Sequence, residues 1–256
     1  MKSIRKAVVS RLRRKPAFQP RPDDVFLVSY PRSGNTWMRY LLANLLEPQG
    51  EWHIENIGRV IPDIHETWPA EWIPRRPRIL KSHYPYRAQY RKVIYLYRDG
   101  RDVAISYHHF LVRLHDDKRD FPAFFIDFLH GRVPYGAWHE HVAGWMASRE
   151  STCSLLPIQY RALYDNPLKS LQRVGDFLGY QWSNEQISTA IEKSSYLRLQ
   201  RDYQARKYQS HWRKGFQGGV KGGPGKWKEV LTAEQNELFW EITGSISEKL
   251  GLEYGL

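Results

Sequence analysis

The sequence predicts an α/β fold: a parallel β-sheet flanked by helices, in a single domain. Three observations predict it. Short apolar runs at 25–30, 78–82, 92–98 and 153–160 have the length of buried strands. The segments between them repeat apolar residues every three or four positions, the spacing of one buried helix face. Alternating strands and helices give a parallel sheet covered on both faces, and 256 residues with 41% apolar content can enclose one sizeable core.

The first strand, 25–30, breaks at Pro31 and Gly34, and a helix over 36–47 follows, with apolar pairs at 37/38, 41/42 and 45/46. Further helices are predicted at 102–114, 137–149, 168–178, 185–193 and about 233–250. The last carries a capping-box start, Thr232 to Gln235, and a glycine stop at Gly251. Trp138, His141, Val142 and Trp145 mark the buried face of the 137–149 helix. Residues 48–77, rich in Pro and Trp, and 111–136 read as covers over a site. Residues 216–226 hold five glycines and read as a mobile loop able to close around a ligand. In such folds ligands bind beyond the carboxyl ends of the strands, so the polar loops after residues 30, 82 and 98 should converge.

Charge narrows the partners. A net charge of +12 points to nucleic acid, anionic lipid or a multiply charged small ligand. Eight of the basic residues fall in 1–22, which has no acid and reads as a basic tail ahead of a domain at 23–256. Ile4, Val8 and Leu12 recur every four residues there. The tail is either solvated or a short amphipathic helix that touches an anionic membrane or the protein surface. It lacks the apolar stretch of a secretory signal. No run approaches the roughly 18 apolar residues of a membrane span. One cysteine, Cys153, excludes a disulfide framework and a cysteine metal site, which predicts a reducing, cytoplasmic compartment.

The loop Tyr30-Pro31-Arg32-Ser33-Gly34-Asn35-Thr36-Trp37 joins a strand to a helix and aims backbone N–H groups at one point, a geometry suited to phosphate or sulfate. It is not the nucleoside triphosphatase loop, which needs a second glycine and a lysine. Lys81-Ser82-His83-Tyr84-Pro85 ends the second strand, and a lysine and a histidine two apart there can reach one ligand. Histidine is the natural general base near neutral pH. After the third strand, Arg98 and Ser106 can face a common phosphate monoester, while Arg101 and Asp102 serve turn and cap.

These segments resemble, in order and spacing, the motifs of the sulfotransferases that use 3′-phosphoadenosine 5′-phosphosulfate (PAPS), over about residues 25–240. The resemblance implies a P-loop-like parallel sheet and transfer of a sulfuryl group to an acceptor hydroxyl or, less favoured, an amine. It implies His83, Arg32 and Lys81 as catalytic residues. Arg32, Ser33, Gly34, Asn35, Thr36 and Trp37 would meet the 5′-phosphosulfate, with Arg98 and Ser106 at the 3′-phosphate. Tyr160 would contact adenine or an adjacent wall, and Ser194 and Tyr196 would hold the adenine, Tyr196 opposite Trp37. Phe110 and Tyr84 fall at the acceptor pocket, where Phe110 equally fits the core. The product is adenosine 3′,5′-bisphosphate (PAP), and no metal is required, because cationic side chains neutralise the charge.

The sequence departs from the family in two places. Arg32 stands where lysine is usual; arginine stabilises charge but is a poor proton donor. The family's 3′-phosphate loop fits two registers, one using Arg213 and Lys214, the other, favoured, using Lys221 and Gly222. Lys228, Thr232, Ala233 and Glu237 resemble a dimer-contact motif, which implies a homodimer. The acceptor class is a small molecule, carbohydrate or lipid with a free hydroxyl. Two readings compete: a P-loop-like nucleotide-binding protein without transferase activity, and a nucleic-acid-binding protein, suggested by a pI near 9.7 and ten tryptophans. The second is disfavoured because the informative basic residues sit at strand ends.

Overall fold

Four parallel strands, β1 (Val25–Ser29), β2 (Ile79–Ser82), β3 (Lys92–Tyr97) and β4 (Ser154–Gln159), pair in the order β2-β1-β3-β4. The structure is a computed structural model that describes residues 18–65, 77–115, 117–148, 153–205 and 223–255. The helices are α1 (Asn35–Leu46), α2 (Gly100–His115), α3 (Phe121–Leu129), α4 (Trp138–Ala147), α5 (Tyr160–Asp165), α6 (Pro167–Leu178), α7 (Asn184–Lys193), α8 (Tyr196–Ala205), α9 (Trp227–Val230) and α10 (Ala233–Lys249).

Strand geometry sends alternate side chains to opposite faces, and β1 follows it. Phe26 and Val28 enter one core with Val93 and Tyr95 of β3; Val25 and Leu27 enter the other with Ile94 and Leu96. The first core is closed by Val103 and Leu111 of α2, Phe124 and Phe128 of α3, Trp138 and Trp145 of α4, and Phe239 of α10. The second is closed by Met38, Leu41 and Leu42 of α1, Leu171 and Val174 of α6, and Ile187 of α7. Each such fully buried side chain stabilises the fold by about 1.5–3 kcal/mol. At the amino ends of β1 and β2, the Arg78 guanidinium donates two hydrogen bonds of 2.7 Å to the buried Asp24 carboxylate.

The chain runs from β1 outward to β2 and then returns to place β3 on the other side of β1. Strand order reverses at β1, and in sheets of this kind ligands bind beyond the carboxyl ends of the strands at such a point.

The predicted strands and the helices around 36–47, 102–114, 137–149, 168–178, 185–193 and 233–250 are present within a few residues, and both ends of the Thr232–Gln235 capping box are made. Three longer corrections concern helices. The segment 111–136, expected as a cover, contains α3. It starts at the Asp120 side chain, which accepts from Ala123 N–H, has Pro122 in its first turn, and buries Phe124, Phe125 and Phe128 in the core. The fourth strand stops at Gln159, and Tyr160 opens α5. Helix α8 follows directly after Ser195.

Candidate active site

The loop between β1 and α1 is shaped by two unusual backbone positions. Arg32 has φ 68° and Gly34 φ 98°, both left-handed. Such a conformation is costly for arginine, and strain of this kind collects at functional sites. Glycine meets it without strain, and here it is needed twice over: a Cβ on Gly34 would lie 2.6 Å from the Tyr160 ring. Gly34 is the N-cap of α1 and offers no side-chain cap. The first N–H groups of the helix therefore face the loop without internal partners.

Ser33 is fully buried and its Oγ has no hydrogen-bond partner; the buried Tyr160 hydroxyl is likewise unpartnered. Buried polar atoms are normally satisfied, so both hydroxyls retain a hydrogen bond they could give to a further group. Asn35 behaves differently. Its Nδ2 donates to Leu27 O at 3.3 Å and Ser29 Oγ at 3.1 Å, tying the loop to the end of β1.

Helix α2 and strand β3 bring cations to the same place. Arg32 Nε donates to Ser106 Oγ at 3.1 Å, and its guanidinium stacks 5.0 Å from the Phe110 ring. Arg98 lies 4.6 Å over the Tyr160 ring, 3.4 Å from Gly223 O and 3.5 Å from Asp102 Oδ2. Burial, then the nearby charge of Arg98, pull the Arg32 pKa down to about 10. Like charges crowded in this way are relieved by a bound anion. Asp102 also receives Gly225 N–H at 2.8 Å and Trp227 N–H at 3.1 Å, so it pins the segment leading into α9 onto α2. The turn and cap role expected for Arg101 is larger than expected. Arg101 pairs with Asp99, reaches Asn236 Oδ1 and Glu253 O, and stacks 3.4 Å from the Trp227 ring.

On the other side of the loop stands His83. Its Nδ1 lies 2.8 Å from Ser29 O. A carbonyl can only accept, so Nδ1 carries the proton and the neutral ring keeps a bare Nε2. Burial, then the charge of Lys81, hold its pKa well below the ordinary 6.5. Both main-chain groups of His83 are held by other histidines: its N–H donates to His65 Nε2 at 3.0 Å, and its C=O accepts from His141 Nε2 at 3.2 Å. The Tyr95 hydroxyl donates to His141 Nδ1 at 2.9 Å, which fixes that tautomer. Lys81 Nζ is ion-paired with buried Asp63.

The loop after β1, the cations of β3 and α2, and the neutral His83 ring are thus brought together at the carboxyl ends of the strands. The pattern of the sulfotransferase domain matches residues 22–252. The chain belongs to this family. Sulfotransferase 1A1 of Rattus norvegicus is 29% identical over 246 residues, 85% of this chain and 82% of that protein. Sulfotransferase 1E1 of Cavia porcellus is 28% identical, over 87% of this chain and 82% of its own. Among solved structures, mouse sulfotransferase SULT7A1 complexed with PAP has a TM-score of 0.70 at 25% identity, covering 91% of this chain and 86% of that chain. Retinol dehydratase in complex with androsterone and PAP has a TM-score of 0.72 at 22% identity and shares the fold.

For this sulfotransferase chain, the structure gathers Arg32, Ser33, Gly34, Arg98, Ser106, Phe110 and Tyr160 in one cluster, with His83 anchored to the end of the same strand. Thr36 lies in the first turn of α1, and Trp37 meets Tyr160 edge-on at 6.2 Å. Ser194 is buried with its Oγ accepting from Asn44, a link between α1 and α7, and the Tyr196 hydroxyl is buried without a partner. Tyr84 is engaged by Arg87, 4.0 Å over its ring, and by His65 at 4.4 Å. Arg213, Lys214, Lys221 and Gly222 lie outside the described residues, as do residues 1–17 of the basic tail and 66–76 of the first cover. Among the described residues no helix is long and apolar enough to cross a membrane and no cluster of metal-binding side chains occurs.

Sequence reasoning missed Asp63, His65 and Tyr135, and placed His141 on a buried helix face bordering the site without assigning it chemistry. Tyr135 has φ 74°, and its ring stands 5.5 Å from that of His83. A left-handed tyrosine beside Gly136 is visible only in three dimensions. For His65 the signal was an Asp-Ile-His sequence inside a stretch dominated by Pro and Trp.

Proposed function

We propose that this sulfotransferase moves the sulfuryl group of PAPS to a hydroxyl of a small acceptor, with His83 as general base. The observation that carries the reading is the His83 tautomer: Nδ1–H is committed to Ser29 O, which leaves Nε2 unprotonated next to the strand end from which the Arg32–Gly34 loop departs. The unpartnered Ser33 Oγ, the glycine cradle under Tyr160 and the crowded Arg32 and Arg98 fit a nucleotide with separate phosphate groups. Mouse SULT7A1, at 25% identity, was solved with PAP.

When bound, PAPS supplies the sulfuryl group, whose sulfur–oxygen bond to the 5′-phosphate breaks as the new one forms. His83 Nε2 takes the acceptor hydroxyl proton as its oxygen attacks in line. Arg32 and the N–H groups of the loop face the leaving phosphate, and preplaced donors of this kind contribute roughly 3–4 kcal/mol to turnover. Arg98 and Ser106 hold the 3′-phosphate, and Tyr160 walls the nucleotide. A hydroxyl is favoured over an amine because His83 is built to remove a proton; a free amine already has its lone pair available.

The test is transfer of labelled sulfate from PAPS to a panel of phenols, alcohols and amines, alongside thermal stabilisation by PAP, 5′-AMP and ATP at fixed salt. A ligand at 100 times its Kd stabilises by about 2.7 kcal/mol. Selective stabilisation by PAP with transfer to hydroxyls is expected. Equal weak shifts with all three nucleotides would overturn the reading.

A further inference from the structure

The segment Pro62–His65 runs parallel to the end of β2 and joins it through one bridge, Asp63 to Lys81. Lys81 N–H donates to Pro62 O at 2.8 Å and Ile64 N–H to Lys81 O at 3.1 Å, with Asp63 bridged to Lys81. This two-bond splice aligns Asp63-x-His65 with Lys81-x-His83, side chain against side chain. Asp63 Oδ2 takes Lys81 Nζ, Asp63 Oδ1 accepts His65 N–H at 3.0 Å, and His65 Nε2 accepts His83 N–H at 3.0 Å. One carboxylate and one imidazole from outside the motif thus hold both of its functional residues.

We propose that Asp63 and His65 are positioning residues for Lys81 and His83, with His65 setting the height and tilt of the His83 ring through the main-chain N–H. This rests on the reading of His83 as the base. The backbone of His83 is fixed from three directions, by His65, by His141 and, through its own ring, by Ser29. His141 is buried in the core and Ser29 in the sheet, so His65, only partly buried, is the most accessible of the three supports. Its contact exists only while Nε2 is unprotonated. Asp63, Lys81, His83, Tyr84, Arg87 and Tyr135 surround the ring. Lys81 and Arg87 oppose a second proton there, and Asp63 favours it. Protonation of His65 would turn the acceptor into a donor facing a donor and release the His83 main chain.

The full-length chain, 15N-labelled and saturated with PAP, gives the first readout. The amide resonance of His83 should titrate with the His65 ring in the wild type. In His65→Gln, whose Oε1 still accepts, it should stay at its neutral-pH position across the same range. Kinetics with PAPS and 4-nitrophenol give the second. His65→Ala should lower kcat by roughly 10- to 100-fold, leave the KM for PAPS within about twofold, and be rescued to within about threefold of wild type by His65→Gln. A His83 amide indifferent to His65 would overturn the proposal whatever the activity. So would equal kcat in His65→Ala and wild type, or equal loss in the Ala and Gln variants. His83→Ala separates the two readings: full activity in that variant removes His83 as base, while the amide titration still reports on His65. Retained PAP stabilisation in each variant shows that it is folded.

Discussion

Arg32 donates to Ser106 Oγ across 3.1 Å, so the loop after β1 and the middle of α2 share one hydrogen bond. A ligand with two phosphate groups would find the two supports already joined. Ser106→Ala should therefore weaken PAP binding by about 1.5–3 kcal/mol, the scale of a hydrogen bond to a charged group, in a calorimetric titration. Unchanged affinity would remove Ser106 from the nucleotide site.

Arg32→Ala should act on turnover as well as binding. Loss of a preplaced donor at a developing negative charge lowers kcat by about 100- to 1000-fold. Full kcat at saturating PAPS would limit Arg32 to ground-state binding.

Gly34→Ala places a methyl group 2.6 Å from the Tyr160 ring at φ 98°. Overpacking of this kind costs about 1–3 kcal/mol, and the left-handed backbone adds about 1–2 kcal/mol. A lowered Tm with lost PAP stabilisation is expected. Gly34→Ala with wild-type Tm and PAP affinity would mean that the loop is far more compliant than its packing indicates.

Asp102→Ala removes the acceptor of two N–H groups and the partner of Arg98. Breaking a buried pair by removing one member costs about 3–5 kcal/mol. Denaturant unfolding should register that loss, and PAP affinity should fall because Arg98 loses its brace.

The histidines set the response to acid. Burial holds His83 well below the ordinary 6.5, so the acid limb of kcat/KM against pH should fall below that value. Burial also brings the His141 pKa from 6.5 down to about 4. The folded form stays neutral while the unfolded chain takes up a proton, so stability is full above pH 6.5 and is lost as pH falls toward about 4. The whole loss amounts to roughly 3 kcal/mol. His141→Gln should flatten this part of the stability profile in urea titrations, and an unchanged slope would assign it to other groups.

Much of this molecule was readable in the chain. Val25–Val28 had to be a strand because both of its faces are core, and Gly34 had to follow because the turn is left-handed. Arg98 and Ser106 sit together because strand end and helix turn are contiguous in sequence. What escaped was contact between distant segments. Asp63 and His65 acquire their meaning from a register with β2, which no local pattern encodes. The phenylalanines of α3 were read as a cover, although Asp120 and Pro122 marked a helix start. Helix α5 was hidden because Tyr160 continues an apolar strand pattern without a breaker.

The contact between Gly34 and Tyr160 limits how this site could be rebuilt. The ring that roofs the loop, Tyr160, belongs to α5, 126 positions after Gly34 in the chain. The five-residue loop between β1 and α1 is thus not a portable module. Transplanted into another parallel sheet without a matching aromatic, it would leave a void above the glycine. Shuffling between relatives should succeed only when the loop and the start of α5 are exchanged together, as one heritable unit split across the gene.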